Sequence, residues 1–571
     1  MKLAHLGITH FRAIRSADLN IEGELALVGQ NSSGKTSVLR ALNAFFNFED
    51  ERSAFESGQH AFQSSSVAVV EVTLKEVPQE CVLARSATPD EIRVRLRFKK
   101  QAQWQILDGQ TWVAAPTNLH EELGKFISYA FVPLRRDHEV AGWGPGGLME
   151  RVVEASVRTS RQRDHITPGI QRLGERLQKQ SLDKLVGRLR EMTPLRGKFE
   201  YALGYEVAPD YSVLLRNLIL HVREGNHVVS LADSGSGTQS LAVFALYSYL
   251  ADIENSTYIL GFEEPEQNLH PQAQIQLLAK LKTLGLQIIF TTHSPTMIDA
   301  LDHEQVALCR RVTSATRAIE TRVTQLPSDF FSSRSLNREA YYRFHSRRNS
   351  EFFFADYVVV TESPIDAAVV SEMMNQAGVS LSESNITLLS LDGVTSIDYA
   401  YHLLRGLDIE CMFIVDKDYF LPYLNGELDK SRNASGYPMY KKELKSGTLL
   451  KWMMPKKIDQ QNLVDDLFSR HPSGAATLMK VGFMCFRWSL EIDLVAAPTS
   501  RKELCNRLGI SADDAKVEAK LLIENKKALK KQETLIAAVA GSKPQGLPSS
   551  YRAIRAALRA TAKRLGDERG R

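Results

Sequence analysis

The chain has 571 residues, too many for one hydrophobic core, so two large domains or three modest ones are expected. Apolar residues make up 43% and charged residues 24%, the balance of a globular chain, which excludes a disordered or fibrous protein. The formal net charge is only +4, so any nucleic-acid surface must come from local clusters of Lys and Arg. The five cysteines, Cys81, Cys309, Cys411, Cys485 and Cys505, are far apart and form no CxxC pair, which argues against a disulfide framework or zinc ribbon and makes the reducing cytoplasm the expected location. The N-terminus lacks the apolar core of a signal peptide, and no apolar run approaches the ~20 residues that span a bilayer, so no membrane insertion is expected.

In chain order, Leu3 to Val28 reads as short strands ending in the apolar run Leu25–Val28, which leads through GQNSSGKTS into a helix from Val38 to Phe46. Alternation over Val67–Leu74 and Ile92–Phe98 predicts strands of an antiparallel layer near that loop. From about residue 145 to 205 the texture becomes helical, with Ile170, Leu173, Leu177, Leu182, Leu185 and Leu189 at helical spacing: a helical insertion serving as a dimerisation arm or, equally, a helix packed on its own domain. Tyr258–Phe262 and Gln287–Thr291 read as buried strands, each leading into a helix, which implies a mostly parallel sheet. The polar stretch Pro327–Arg348 reads as a linker, and a second α/β unit starts at Tyr357–Thr361. After Thr499 the pattern is helical and rich in Lys, Arg and Ala, ending in the basic tail Ser550–Arg571. The expected division is residues 1–345 and 346–571.

Gly29 to Thr36, GQNSSGKT, fits the phosphate-binding loop pattern with a strand before it and a helix after it. Gly29 and Gly34 let backbone N–H groups, with Asn31, Ser33 and Ser37 around them, wrap the phosphates of ATP; Lys35 reaches the β and γ phosphates and Thr36 ligates Mg²⁺. The strand Tyr258–Phe262 delivers Glu263, to hold the Mg²⁺ shell, and Glu264, to polarise the attacking water. Ser234, Gly235 and Gly237 precede a helix and suit the approach of backbone donors to a γ-phosphate. His293 ends another apolar strand, where a neutral imidazole bonds the γ-phosphate or the water.

In this order the four elements resemble the ABC ATPase head of the SMC and RecF group. With ITHFRAIRSADL, EEPEQNLHP and TTHSPTMID the resemblance over about residues 1–310 is nearest to the OLD (overcoming lysogenization defect) nucleases. In such heads the Ser-Gly signature of one copy closes on nucleotide held by another, which implies a homo-oligomer, a dimer or tetramer. Glu263 stands where most ABC proteins carry Asp.

A second acidic constellation follows. The strand ending at Thr361 is followed by Glu362, with Asp366 one helical turn on, and the strand Cys411–Val415 ends in Asp416-Lys417-Asp418. Residues two apart on an extended segment point the same way, so the two strand ends can converge four carboxylates on hard divalent cations, Mg²⁺ or Mn²⁺, that activate water for phosphodiester hydrolysis. The order resembles the TOPRIM fold, and EFFFADYVVVTESPIDAAVV resembles the start of the OLD-family module; Glu362, Asp366, Asp416 and Asp418 match its metal-binding, catalytic acids by position. Ser363 stands where that family usually has Gly, and Asp459 is a candidate for a further acid. OLD-type sites also use a C-terminal lysine, for which Lys526, Lys530 and Lys543 are candidates.

The expected fold is therefore α/β, an ABC ATPase head with a helical insertion followed by a TOPRIM domain with a helical C-terminal extension. Arg158, Arg161, Arg163, Lys526, Lys527, Lys530, Lys531, Arg552, Arg555, Arg559, Lys563 and Arg564 are candidate phosphate contacts. The resemblance implies an ATP-regulated, metal-dependent DNA endonuclease or nickase in anti-phage defence, as in Gabija and retron systems. Its partners would be DNA and a helicase-like protein or a retron reverse transcriptase complex. The alternative is a nucleotide-switched scaffold whose TOPRIM domain binds nucleic acid without cutting it.

Overall fold

The computed structural model describes residues 1–134, 148–159, 168–173, 176, 221–224, 227–230, 235–283, 286–313, 319–346, 348–391, 393, 396–445 and 449–569. The chain divides into two compact units, Met1–Val323 and Thr324–Arg571.

The first unit is built on a twelve-stranded sheet whose halves differ in texture. One half is antiparallel: β1 (Lys2–Phe11) pairs with β2 (Ile14–Asn20) and with β4 (Ala68–Lys75), followed by β5 (Glu91–Phe98), β6 (Ala102–Asp108) and β7 (Thr111–Ala114). In EIRVRLRF of β5, Ile92, Val94 and Leu96 are buried, while Arg93 pairs with Glu71 and Arg95 stacks over Trp112, as period-two alternation requires of a half-covered sheet. The other half is parallel, with β3 (Glu24–Val28) between β12 (Gln287–Thr292) and β13 (Val306–Thr313), and β11 (Thr257–Glu263) between β12 and β8 (Ile127–Val132). Every residue of β12, QIIFTT, is buried, the pattern of a strand covered on both faces. The sheet is thus mixed where a mostly parallel one was expected, because the long antiparallel run β4–β7 extends the same sheet through β1 and β2. Helix α1 (Lys35–Phe46) packs its buried Val38, Leu39, Leu42 and Phe45 into the core.

Within the expected helical insertion, α2 (Leu148–Thr159) and residues 168–173 are helical. Leu177, Leu182, Leu185 and Leu189, like Arg161 and Arg163, lie outside the described residues. A hairpin of β9 (His221–Glu224) and β10 (His227–Ser230) precedes helix α3 (Ser236–Glu254).

The second unit begins before the expected boundary at residue 346. The segment read as a linker folds into helices Phe330–Ser333 and Arg338–His345, because its polar residues are interleaved with Phe330, Tyr341 and Phe344, all buried and ringed about Tyr399. The core is a four-stranded parallel sheet in the order β16 (Ile386–Ser390), β15 (Tyr357–Thr361), β17 (Cys411–Val415), β18 (Phe483–Cys485). Helices α4 (Pro364–Gln376), α5 (Ile397–Gly406), α6 (Leu490–Ala496), α7 (Gln532–Gly541) and α8 (Ser549–Arg569) accompany it. The basic tail is an amphipathic helix, α8, which buries Tyr551, Ile554, Leu558 and Leu565 and leaves Arg552, Arg559 and Lys563 exposed. No helix among the described residues is long and apolar enough to cross a membrane.

Candidate functional site

The first site lies where β3 ends. Gly29 has φ 145° and a Cβ there would stand 2.1 Å from the Cys309 carbonyl oxygen, while Gly34 has φ 96° and a Cβ there would stand 2.4 Å from Thr321 Oγ1. Both positions therefore require glycine, and the loop between them is free to turn its N–H groups outward. Asn31 is exposed at its mouth, Ser37 is buried in the first turn of α1, and Ser33 Oγ is buried without a partner among the described residues. Lys35 Nζ donates to the carbonyls of Gly29 (3.0 Å) and Gln30 (2.9 Å), and burial pulls its pKa down. Thr36 Oγ1 donates to Glu263, whose other carboxylate oxygen accepts from Leu134 N at 3.0 Å, so the hydroxyl and carboxylate expected to hold Mg²⁺ already touch.

Glu264 adopts φ 45° just beyond β11, with its N–H on Thr291 O at 3.1 Å. Its Oε1 stands 3.7 Å from His293 Nε2. Burial and the charge of Lys35 hold His293 below the usual histidine range, so its imidazole is neutral near pH 7. Glu266 was missed. It is buried, its Oε1 accepts from Thr292 Oγ1 (2.7 Å) and His293 N (3.0 Å), and burial pushes its pKa up. The third acid of EEPEQNLHP was the available signal. Ser234 lies outside the described residues; Gly235 caps α3, and at Gly237 a Cβ would stand 2.3 Å from Leu269 Cδ2, so that helix starts against the same EEPEQNL segment.

The second site lies at the C-terminal ends of the adjacent parallel strands β15 and β17. Asp416 N donates to Glu362 Oε1 at 2.9 Å, and Asp416 Oδ1 accepts from Leu490 N at 3.1 Å. Ser363 caps α4 with its Oγ, accepting from Asp366 N (3.3 Å) and donating to Asp366 Oδ2 (2.8 Å), so this departure from glycine orients an acid of the site. Lys445 Nζ donates to Asp418 O at 3.0 Å. Burial, with the nearby Asp418 and Asp366, pushes Glu362 up to about 8; burial pushes Asp366 up to about 6, and it raises Asp416 and Asp418 as well. The strand ends thus gather the four carboxylates against their mutual repulsion.

Two more residues complete the neighbourhood. Glu491, at the start of α6, adds its charge to Asp366, Asp416 and Asp418, and it pairs with Lys530 at 3.1 Å. Glu491 was unread because the acid lies more than 70 residues from Asp416 and only the pairing of β18 with β17 brings it back. Of the three candidate lysines, Lys530 stands with the acids, Lys526 pairs with Asp429 and Lys543 is exposed beside a short turn. Asp459 is exposed in the first turn of helix Lys457–Ser469.

Among the described residues no three His, Cys, Asp or Glu side chains are closed into a metal shell. The donor set nevertheless suits a hard divalent cation, since it is all oxygen, buried, and raised in pKa first by that burial and then by its neighbouring charges.

An AAA ATPase domain matches residues 1–111 and 148–298, and an Overcoming lysogenization defect protein-like TOPRIM domain matches residues 353–418. A domain described as of unknown function, DUF2813, matches residues 251–350. An OLD nuclease of Thermus scotoductus is 23% identical over 73% of this chain and 82% of its own length. The Old nuclease of Escherichia phage P2 is 21% identical over 73% and 78%, and the endonuclease GajA of Bacillus cereus is 20% identical over 73% and 75%. Among solved structures, the SMC head domain from Thermotoga maritima aligns with 57% of this chain and 100% of its own, at 16% identity and a TM-score of 0.31. The chain thus matches an AAA ATPase domain followed by an OLD-like TOPRIM domain, and over 73% of its length it is similar to proteins named OLD nuclease.

Proposed function

We propose that the chain is an ATP-regulated DNA endonuclease or nickase dependent on Mg²⁺ or Mn²⁺, acting in anti-phage defence. The observation that carries this reading is the buried gathering of Glu362, Asp366, Asp416 and Asp418 at neighbouring strand ends in a chain that also holds a complete phosphate-binding loop. In the head, Gly29–Ser37 cradle ATP, Lys35 turns from the loop carbonyls to the phosphates, Thr36 and Glu263 hold the nucleotide's Mg²⁺, and Glu264 with neutral His293 orients the attacking water. In the TOPRIM module the four acids would hold the cation, which when bound supplies water activation and stabilisation of the leaving oxygen. Lys530 offsets charge beside Glu491. The Ser234–Gly237 signature suits closure on a second copy's nucleotide, so a homodimer or tetramer is proposed. Defence and a helicase-like or retron-associated partner are what the resemblance to OLD nucleases implies, and a cytoplasmic location is what the dispersed, unpaired cysteines imply.

A second reading, a scaffold whose TOPRIM binds without cutting, draws on the finding that among the described residues no three of these side chains are grouped as a metal ion would need. Cleavage of supercoiled and linear DNA by wild type and Asp416→Ala/Asp418→Ala, with Mg²⁺ or Mn²⁺ and with or without ATP, separates the two. Metal-dependent cutting lost in the variant supports the nuclease; DNA binding by both with cutting by neither supports the scaffold.

A further inference from the structure

The segment after Asp418 leaves the acidic site and returns to it. Lys445 N donates to Phe420 O (2.7 Å) and Lys445 Nζ to Asp418 O (3.0 Å), closing the base of a loop. Across that loop Tyr423 and Tyr440 form an antiparallel bridge, held by Leu424 N on Met439 O (3.0 Å) and Lys441 N on Pro422 O (2.9 Å). Their rings stack 5.3 Å apart at 25°, and Lys417 Nζ lies 5.1 Å from the centre of the Tyr440 ring. Tyr440 is 8% exposed, and its hydroxyl is buried with no hydrogen-bond partner among the described residues.

A buried phenol beside carboxylates ordinarily donates to one of them, since a hydroxyl taken from water without a partner is destabilising. Here the cations near the acids are committed: Lys445 to the Asp418 carbonyl, Lys530 to Glu491, Lys417 to the Tyr440 ring. Burial and the charges of Asp418 and Asp416 hold both phenols protonated, so they are donors at any working pH. A neutral donor pair facing an acidic cluster matches a ligand made of acceptor oxygens.

We propose that Tyr423 and Tyr440 form the phosphate-recognition element of the TOPRIM site. The Tyr423 hydroxyl donates to a phosphate oxygen of the nucleic-acid strand lying at the carboxylates, while Tyr440, stacked behind it, fixes the ring and donates to the same group. The assignment rests on the reading of this cluster as the nucleic-acid site. Its test uses the full chain, a short single-stranded oligonucleotide bound in Ca²⁺, and plasmid cleavage in Mn²⁺. Tyr423→Phe keeps the ring and the stack but loses the donor, and should weaken oligonucleotide binding about tenfold and slow cleavage at least as much, with an unchanged melting temperature. Tyr440→Phe should act in the same direction, melting no lower than wild type because its orphaned hydroxyl is gone. Wild-type binding and cutting by both Phe variants would overturn the proposal and leave the nuclease reading standing. A wild type that binds but never cuts, with weakened binding in Tyr423→Phe, would retain the phosphate element and sink the nuclease reading. Binding and cutting lost only in Tyr423→Ala would reduce the pair to a packing role and overturn the proposal.

Discussion

The acids of the head and those of the TOPRIM module sit at equivalent places, the C-terminal ends of parallel strands, yet their surroundings are opposite. In the head each acid has a counterpart: Glu263 meets Thr36 and Leu134 N, Glu264 faces His293, and Glu266 ties down Thr292 and His293 N. In the TOPRIM module Glu362, Asp366 and Asp416 accept from backbone N–H groups and the Ser363 hydroxyl, yet burial and then the charges of Asp418 and Asp366 drive Glu362 up to about 8. The acids of the head are held by partners before nucleotide arrives. The TOPRIM cluster is held under load by the fold around it, and a cation relieves that load. Stability is given up where charge must be ready for a ligand.

The largest effects come from breaking the loaded site. Asp416→Ala/Asp418→Ala should lower metal-dependent DNA cutting by on the order of a thousandfold or more while leaving ATP hydrolysis in place, measured on the same preparation. The converse cut, Glu264→Gln, should lower ATP hydrolysis by about a hundredfold and leave nucleotide-free cutting in Mn²⁺ near wild type. A variant that loses both activities would show that the two sites are not separable. Glu266→Ala tests whether the head acid is structural or positional. It should destabilise the head by about 1–3 kcal/mol, read as a lower melting temperature, because Thr292 and His293 N lose their buried acceptor. Glu266→Gln should keep the fold and lower ATPase kcat more than it raises KM.

Stability itself distinguishes the two sites. Glu362 is raised from an unfolded value near 4.5 to about 8, so its contribution is full below 4.5 and is lost as pH rises through 8. In chelator at pH 8, Glu362→Gln should therefore melt a few degrees higher than wild type, about 2–4 °C for each kcal/mol of charge-burial and repulsion cost removed, while cutting nothing. Added Mn²⁺ should reverse that order, because only the wild type gains the cation. The smallest effect lies away from the acids. His402, buried against Trp452 and beside Arg334, is lowered to about 4, so its contribution is present above the unfolded value of 6.5 and is lost as pH falls toward 4. His402→Gln should flatten that acid limb of the melting curve by about a degree or two.

Local motifs were legible because their chemistry is carried by adjacent residues. A glycine-rich turn between strand and helix, two acids after Phe262, a histidine after Thr292 and Asp-x-Asp after Val415 are each complete within a few positions, and the structure brings the first three into one site and gathers the fourth with Glu362 and Asp366. Glu491, Lys530 and the Tyr423–Tyr440 pair have no such local mark: an acid opening a helix, a lysine among lysines and two tyrosines in a loop look like ordinary surface. The segment Pro327–Arg348 misled for a related reason, since its serines and arginines outnumber the three aromatic residues that anchor it.

From its sequence alone, this protein's α/β character, its order of modules and the strand-end position of its acids follow, because hydrophobic period and turn chemistry act over a few residues. Which acids crowd together, which lysine stands beside them and which hydroxyls are left without a partner was decided only when β18 paired with β17 and the loop from Phe420 closed on Lys445. Electrostatic repulsion and unmet hydrogen bonds depend on distance through space, and only the folded chain sets that distance.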